Sequence, residues 1–329
     1  MQTPKNPRKE TDILIIGAGL AGLSAAQKLV EHGRQVLVVD KGRGLGGRLA
    51  GRRIGTATFD HGAQFMTARD PRFAALVERW VDAGVAEEWY RSYPGQPQAH
   101  PRWRGVPTMT ALAKDLARGI EVWSSTRVVE MRQSERAWHI ALDSGDSLTA
   151  GTVILTAPVP QSIDLIDGGA IALSSDHRRR LEHIEYDACI AVMAVLDGPS
   201  MIPAPGAVAP QNGILDWISD NQQKGVSGVP AVTLHASAAF SAEHIDAPRE
   251  VVGKRIIEAA QPWIQTTVTD YQVHGWRYSK PSRVDEKTCL VVCQDPPLVL
   301  AGDAFAGPRV EGAVVSGWAA ADALHNDIP

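Results

Sequence analysis

Apolar and polar positions along the chain alternate between two periods, and the order in which they do so outlines a fold. Asp12–Ile16 is a short β-rich run that opens directly into the turn GAGLAG, Gly17 to Gly22. The next segment, LAGLSAAQKLVEHG, repeats its apolar residues at helical spacing, and Gly33 is a natural stop. A second apolar run, Gln35–Val39, ends in Asp40. Strand, glycine turn, helix and strand make a βαβ unit. Farther on, PRFAALVERWVDAG predicts an amphipathic helix, apolar at Phe73, Leu76, Val77, Trp80 and Val81. RSYPGQPQAHPRWRGVP is rich in Pro and Gly and reads as a surface loop. TMTALAKDLARG resumes as a helix, and IEVWSSTRVVEMRQ and RAWHIALDSG read as strands.

TVILTAPVPQSIDLI has the pattern of a parallel core strand running into a Pro-marked turn. From about Ile171 to Lys287 the pattern shifts to long strands such as ACIAVMAVL and AVTLHASAAF. The helix APREVVGKRIIEAAQPWI and the run DYQVHGWRYSKP complete that region. The tail, PPLVLAGDAFAGPRVEGAVVSGWAAADALHN, is a strand, a Gly-Asp pair, a loop and an Ala-rich helix. The expected class is α/β, a Rossmann-type nucleotide-binding domain joined to a second, sheet-containing domain.

Composition narrows the function classes. Across 329 residues, 33 Lys and Arg face 37 Asp and Glu, so a nucleic-acid groove is not implied. No apolar run approaches the roughly 20 residues of a membrane span. The opening MQTPKNPRKE holds no apolar stretch and does not read as a secretory signal, which points to the cytoplasm. In an extended CLVVC run, Cys289 and Cys293 stand about 13 Å apart, too far for a disulfide. With Cys189 in another apolar run, all three cysteines are expected as free thiols, and no zinc-ligand spacing occurs.

The candidate chemistry begins at the glycine turn. Gly17 permits the tight turn, Gly19 lets backbone approach a pyrophosphate, and Gly22 lets the helix pack close to the strand. The helix start, with Leu20 and Ala21, offers free N–H groups and a positive dipole end to phosphates. Asp40, 18 residues after Gly22, is placed to accept hydrogen bonds from an adenosine ribose, and its charge argues against NADP. KGRGLGGRLAGRR packs five glycines and five basic residues into 13 positions. Close backbone approach to an extended ligand accounts for Gly47 and its neighbours, with Arg43 or Arg48 neutralising pyrophosphate and Lys41 alongside.

Gly62, Ala63 and Gln64 then bring backbone and amide groups toward a flat ring, and Val128 completes the expected contacts. In the tail, Gly302 and Asp303 are suited to ribitol or ribose hydroxyls. The turn Arg309, Val310, Glu311, Gly312, Ala313 starts a helix whose dipole can face developing negative charge. Together these segments favour FAD. The expected FAD-binding domain is discontinuous, 1–70, 105–160 and 288–329, with 71–104 and 161–287 forming the substrate domain.

These motifs resemble FAD-dependent amine-oxidase-type flavoproteins, and more narrowly the chain is similar to bacterial renalases. The likeness runs through DKGRGLGGRL, DHGAQFMTARD, PRWRGVPTMTALAK, LHASAAFSAEHIDAP, HGWRYSKP and GDAFAGPRVEGAVVSG. The resemblance implies noncovalent FAD in a two-domain fold like that of p-hydroxybenzoate hydroxylase. It implies an oxidase that takes hydride from 2- or 6-dihydro isomers of NAD(P)H and passes it to oxygen, giving NAD(P)+ and hydrogen peroxide. The chain departs from the pattern at GDAFAGPRVEGA, where related sequences carry Trp and Cys, and at Gly275, where Arg is usual.

Hydride transfer from an electron-rich dihydropyridine needs no acid or base, which suits a sequence without a triad or carboxylate pair. Gln64, His235, Trp276 and Tyr278 are the candidate catalytic residues. Trp276, Tyr278 and His274 alternate along one strand and share a face, where the two aromatics can wall a nicotinamide. The expected partners are a dihydronicotinamide dinucleotide and O2, with no metal, nucleic acid or membrane. A flavin amine oxidase and a flavin- or NAD(P)-sensing protein without turnover are the alternatives.

Overall fold

The computed structural model describes residues 10–91, 100–210 and 212–326. The chain opens with β1 (Glu10–Ile16), α1 (Leu20–Glu31) and β2 (Val36–Val39), followed by the hairpin β3 (Gly51–Ile54) and β4 (Ala57–Asp60). Helix α2 (Pro71–Asp82), the hairpin β5 (Ala86–Tyr90) and β6 (Arg102–Gly105), and α3 (Thr110–Leu116) lead to β7 (Glu121–Trp123). Strands β8 (Val128–Gln133), β9 (Trp138–Leu142) and β10 (Ser147–Leu155) precede α4 (Val159–Gly168) and α5 (Ser175–Glu182). The second sheet is built from β11 (Glu185–Leu196), β12 (Ala207–Val208), β13 (Leu215–Asp220), β14 (Ala231–Ala236) and β15 (Val268–Arg283). Helices α6 (Ala238–His244) and α7 (Arg249–Ile264) lie between the last two of these. The chain ends with β16 (Leu290–Gln294), β17 (Pro297–Leu300), α8 (Asp303–Ala306) and α9 (Val310–Asn326).

The first sheet runs β16-β17-β10-β1-β2-β7, with β8 and β9 attached through β10. Its centre is parallel, β1 between β10 and β2, as the two-sided burial of Ile13–Ile16 and Val36–Val39 requires. Helices α1, α3 and α9 cover one face, and the β8–β9 hairpin with α4 and α5 covers the other. The second sheet runs β12-β13-β14-β11-β15 and is antiparallel throughout. Alternation along β11 sends Ile190, Val192 and Ala194 toward α7. The opposite face meets the first body, where Met193 and Ala231 pack on Ile54, Ala57 and Phe59 of the β3–β4 hairpin. No described helix is long and apolar enough to cross a membrane. All three cysteines are free.

Four segments differ from their expectation. Residues 92–99 of the expected surface loop lie outside the described residues, as does most of the opening MQTPKNPRKE, but Arg102–Gly105 forms β6 and pairs with β5. Helix α2 buries Phe73, Leu76, Val77 and Trp80 in the core of the first sheet, not against the second. The indole of Trp80 also donates to Asp115 at 2.8 Å. That apolar stripe needs a broad surface, and the α1–α9 layer supplies it, so by packing α2 belongs with the first body. The region from Ile171 opens with a helix, α5, capped by Ser174, before its strands begin. Finally, AVTLHASAAF is not one strand, because Ser237 accepts the Phe240 N–H and starts α6.

Candidate active site

A cavity of about 1220 Å³ lies between the two bodies. It opens at the C-terminal ends of β1, β2, β10 and β17, where ligands bind in open α/β sheets, and extends to the β15 face of the second sheet. Its size exceeds the usual range for a single small ligand, which leaves room for a dinucleotide and a substrate.

At the nucleotide end, Gly17 turns the chain with φ +119, and Gly19 precedes α1 without any side-chain cap. The first-turn N–H groups are thereby left to a ligand. Asp40 accepts from the N–H groups of Ala18 and Gly42, both at 2.6 Å, which fixes its carboxylate at the rim. Gly17, Gly19, Leu20, Ala21, Asp40, Lys41 and Gly47 all line the cavity. Gly22 does not. A Cβ there would stand 2.0 Å from the Gly17 carbonyl, so this glycine serves the packing of α1 on its own turn. Arg43 is also absent from the lining; Val128 is present, in the loop–strand segment 126–129.

Arg48 and Asp303 meet in the middle. The guanidinium binds the carboxylate in a fork, at 2.7 and 2.8 Å, and donates to the Ser279 carbonyl at 3.1 Å. Burial disfavours the charge on Arg48, yet Asp303 more than compensates, and the pKa rises. Arg48 was expected at pyrophosphate and Asp303 at hydroxyls; both line the cavity, but each is the other's partner. In the tail, Gly302, Arg309 and Ala313 also line the cavity. Glu311 points away and accepts from the backbone N–H groups of Arg69 and Asp70, at 2.6 and 2.5 Å. Gly312 is a packing position, since a Cβ would lie 2.0 Å from the Gly307 carbonyl.

At the other end, Gly62, Ala63 and Gln64 form a turn against the loop of Arg48. A Cβ on Gly62 would fall 1.9 Å from the Arg48 carbonyl, and Ala63 donates to that same oxygen at 2.9 Å. Gln64 lines the cavity, but its amide is fully used within the protein. Its oxygen accepts from Ser219 and Lys224, and its nitrogen donates to the Asp60 and Gly62 carbonyls.

The second sheet supplies the facing wall. Trp217, His235, Ala191 and His274 fall on one row across β13, β14, β11 and β15. Trp217, His235 and His274 line the cavity, joined by Cys189, Trp276 and Tyr278. The ring of His274 lies 4.2 Å from that of Trp276, and His61 stacks behind Trp276 at 5.1 Å. The His61 carbonyl faces His235 Nε2 at 3.2 Å. A carbonyl only accepts, so Nε2 carries the proton and Nδ1 of the neutral ring is an acceptor. Burial pushes His235 down to about 4 and His61 to about 3, and it lowers His274 as well. Burial also raises the Cys189 thiol to about 12, which makes it an inert wall.

The expected catalytic residues Gln64, His235, Trp276 and Tyr278 are thus brought to one cavity. Trp217, Cys189 and the residues behind Gln64 were not anticipated. Alternation in LDWISD, read against the His235 strand, carries a signal for Trp217; no local signal marks the others.

Two family models match the chain. One, described as an NAD(P)-binding Rossmann-like domain, covers residues 15–80, and one described as flavin containing amine oxidoreductase covers 83–325. Renalase from Mus musculus is 23% identical over 92% of this chain and 96% of its own length. A shorter match, 32% identical over 98 residues, joins 30% of this chain to 18% of protoporphyrinogen oxidase 2 of Arabidopsis thaliana. Wild-type putrescine oxidase bound to putrescine shares the fold, with a TM-score of 0.71 at 15% identity, over 97% of this chain and 100% of that one. The uncapped helix start, the fixed Asp40 and the volume of the cavity fit the FAD that this family uses. The chain is a renalase-like member of the flavin-containing amine oxidoreductase family.

Proposed function

We propose that the protein oxidises 2- or 6-dihydro isomers of NAD(P)H, releasing NAD(P)+, and reduces O2 to hydrogen peroxide. When bound, FAD supplies the two-electron acceptor: the substrate ring loses one hydride, and O2 takes that electron pair with two protons. Gly17–Ala21, Asp40, Lys41 and Val128 would hold its nucleotide portion, and Gly62–Gln64, Arg48, Asp303, Arg309 and Ala313 its flavin side.

The observation that carries the reading is the character of the substrate wall. Trp276, Tyr278, His235 and His274 present rings, and the imidazoles are held neutral by burial. The carboxylates among the described lining residues are Asp40, Asp164 and Asp303. Asp40 is held by the glycine turn and Asp303 by Arg48. Asp164 sits on α4 beside Gln161, which Lys41 binds, at the nucleotide end. None of them stands on the ring wall, which therefore offers an ammonium substrate no carboxylate counter-ion. A neutral dihydropyridine needs no such counter-ion and no base, because its oxidation leaves an aromatic cation and no proton departs. Lys280 and Arg127 line the same cavity and suit a phosphate-bearing ligand. The free thiols suit the reducing cytoplasm.

Anaerobic single-turnover mixing tests this. Rapid bleaching of the flavin near roughly 450 nm by a 2- or 6-dihydro isomer is expected, with slow bleaching by ordinary NADH and none by simple amines. Faster bleaching by a primary amine establishes an amine oxidase instead, and no bleaching by any reductant favours a sensor.

A further inference from the structure

Behind the cavity wall lies a charged pair that the proposed reaction does not use. Lys224, in the loop after β13, has a side-chain exposure of 0%, and Asp60, at the end of β4, of 1%. Their Nζ–Oδ2 distance is 2.9 Å. Burying such a pair is costly, and replacing it with apolar residues is commonly neutral or stabilising. Its arrangement therefore calls for a role beyond cohesion. Lys224 Nζ also donates to Gln64 Oε1 at 3.2 Å, where Ser219 Oγ donates at 2.8 Å. Gln64 Nε2 donates to the carbonyls of Asp60 at 2.7 Å and Gly62 at 3.0 Å. Asp60 is anchored in turn, its Oδ1 accepting from Met109 N–H at 2.9 Å and its carbonyl from Thr233 Oγ1 at 2.9 Å.

This set of bonds has only one orientation. An ammonium can only donate and a carbonyl can only accept. A flipped Gln64 amide would set its nitrogen against the ammonium and its oxygen against two carbonyls, breaking at least three of the four bonds. The two carbonyls impose that choice from the nitrogen side and the ammonium imposes it from the oxygen side, where the Ser219 hydroxyl, able both to donate and to accept, does not. Because Gln64 Nε2 grips the Gly62 carbonyl, the orientation of the amide fixes the peptide planes of the turn that walls the cavity.

We propose that Lys224 is a positioning residue: contributed by the second body, it locks the Gln64 amide and thereby shapes the Gly62–Gln64 wall where the flavin binds. The inference rests on the reading that this turn faces FAD, and it is independent of which molecule reduces the flavin.

The test separates folding from positioning by using FAD affinity and the flavin absorption spectrum, with no substrate present. Lys224→Met leaves Asp60 buried without its counter-charge, and the melting temperature is expected to fall. In the double variant Asp60→Asn with Lys224→Met the stranded charge is gone, and the melting temperature is expected to recover most of that loss. FAD should nonetheless dissociate at least about tenfold more readily than from the unmodified protein, with a shifted visible band, because the amide has lost its charged partner and is held firmly from the nitrogen side alone. Gln64→Met, which keeps the ion pair, should show the same loss of FAD and decides the matter if neither Lys224 variant folds. A double variant, or Gln64→Met, that holds FAD within about twofold of the original with an unchanged spectrum overturns the proposal. If the unmodified protein itself binds no FAD, the flavin reading fails first.

Discussion

The indole Nε1 of Trp276 donates to the carbonyl oxygen of His61 at 3.0 Å, although 215 residues separate them. The same oxygen receives His235 Nε2. One peptide group of the first body therefore sets two rings of the second, one from β15 and one from β14, with Ala191 of β11 between those strands. Neither ring is oriented by its own sheet alone. The wall facing the Gly62–Gln64 turn is assembled only when the two bodies meet.

Trp276→Phe keeps a ring on that wall but removes its donor. Stability is expected to fall by about 1–2 kcal/mol for the lost bond to a buried carbonyl. FAD content should be unchanged, since no nucleotide-end contact is touched. Flavin reduction by the preferred dihydronicotinamide should slow on the order of tenfold, as an unanchored ring tilts the substrate. Stopped-flow reduction measures this, and a rate within twofold of the original removes Trp276 from the substrate wall.

Gly19 and Gly22 share one motif and are expected to fail differently. A Cβ on Gly19 meets no atom within 4 Å, and its φ of −78 suits any residue. Gly19→Val should fold with nearly its original melting temperature but purify colourless, its side chain standing where the pyrophosphate approaches. Gly22→Ala puts a methyl 2.0 Å from the Gly17 carbonyl and should destabilise the protein itself. Melting curves beside flavin absorbance distinguish the two, and a yellow Gly19→Val protein would falsify the placement of the phosphates.

The glycine turn, Asp40 and the tail strand were legible because each is a local rule, a turn chemistry tied to a neighbouring strand or helix. The same rule misleads when a glycine or an acid serves packing. Gly22 packs α1 on its own turn as its place in the motif predicts, but Gly312 faces the Gly307 carbonyl and Glu311 tethers Arg69 and Asp70. Helix α2 was visible as a helix, but amphipathicity names a buried face without naming its partner. Least legible was the brace behind the wall. Lys224 and Asp60 are 164 residues apart, and each looks locally like an ordinary surface charge. Only the docking of β13 and β14 on the β3–β4 hairpin makes them a pair.

Arg48 ties three segments through Asp303 and the Ser279 carbonyl, so its loss should exceed that of a surface ion pair. The side chains are 28% and 12% exposed, which places the pair between the surface and the interior. Arg48→Met is expected to cost roughly 2–4 kcal/mol, somewhat less than breaking a fully buried pair. Asp303→Asn keeps the shape and one acceptor and should cost less, roughly 1–2 kcal/mol. Urea unfolding of both variants checks the order, and equal losses would place the stabilisation in the Arg48–Asp303 charge pair and not in the carbonyl contact of Arg48.

Acid sensitivity follows from the buried imidazoles. His61 and His235 sit at about 3 and about 4 when folded, against 6.5 when free. Both are neutral in the native protein at neutral pH, and unfolding lets them take up protons once the pH drops below about 6.5. Because the unfolded chain then binds more protons, stability declines as pH falls. The contribution is fully present above 6.5 and is lost progressively down to the folded values. Each histidine adds about 1.4 kcal/mol per pH unit to the slope well inside that window. Urea unfolding between pH 4.5 and 8 should show this decline on top of the carboxylate contribution, and His235→Asn, whose amide can still donate to His61, should flatten it by about one histidine's share. An unaltered slope in that variant would mean that His235 is already protonated when folded. If the substrate is a dihydronicotinamide, the rate of anaerobic flavin reduction should stay level from about pH 7 to 9, because His235 and His274, both lowered by burial, are neutral there and no proton leaves the substrate.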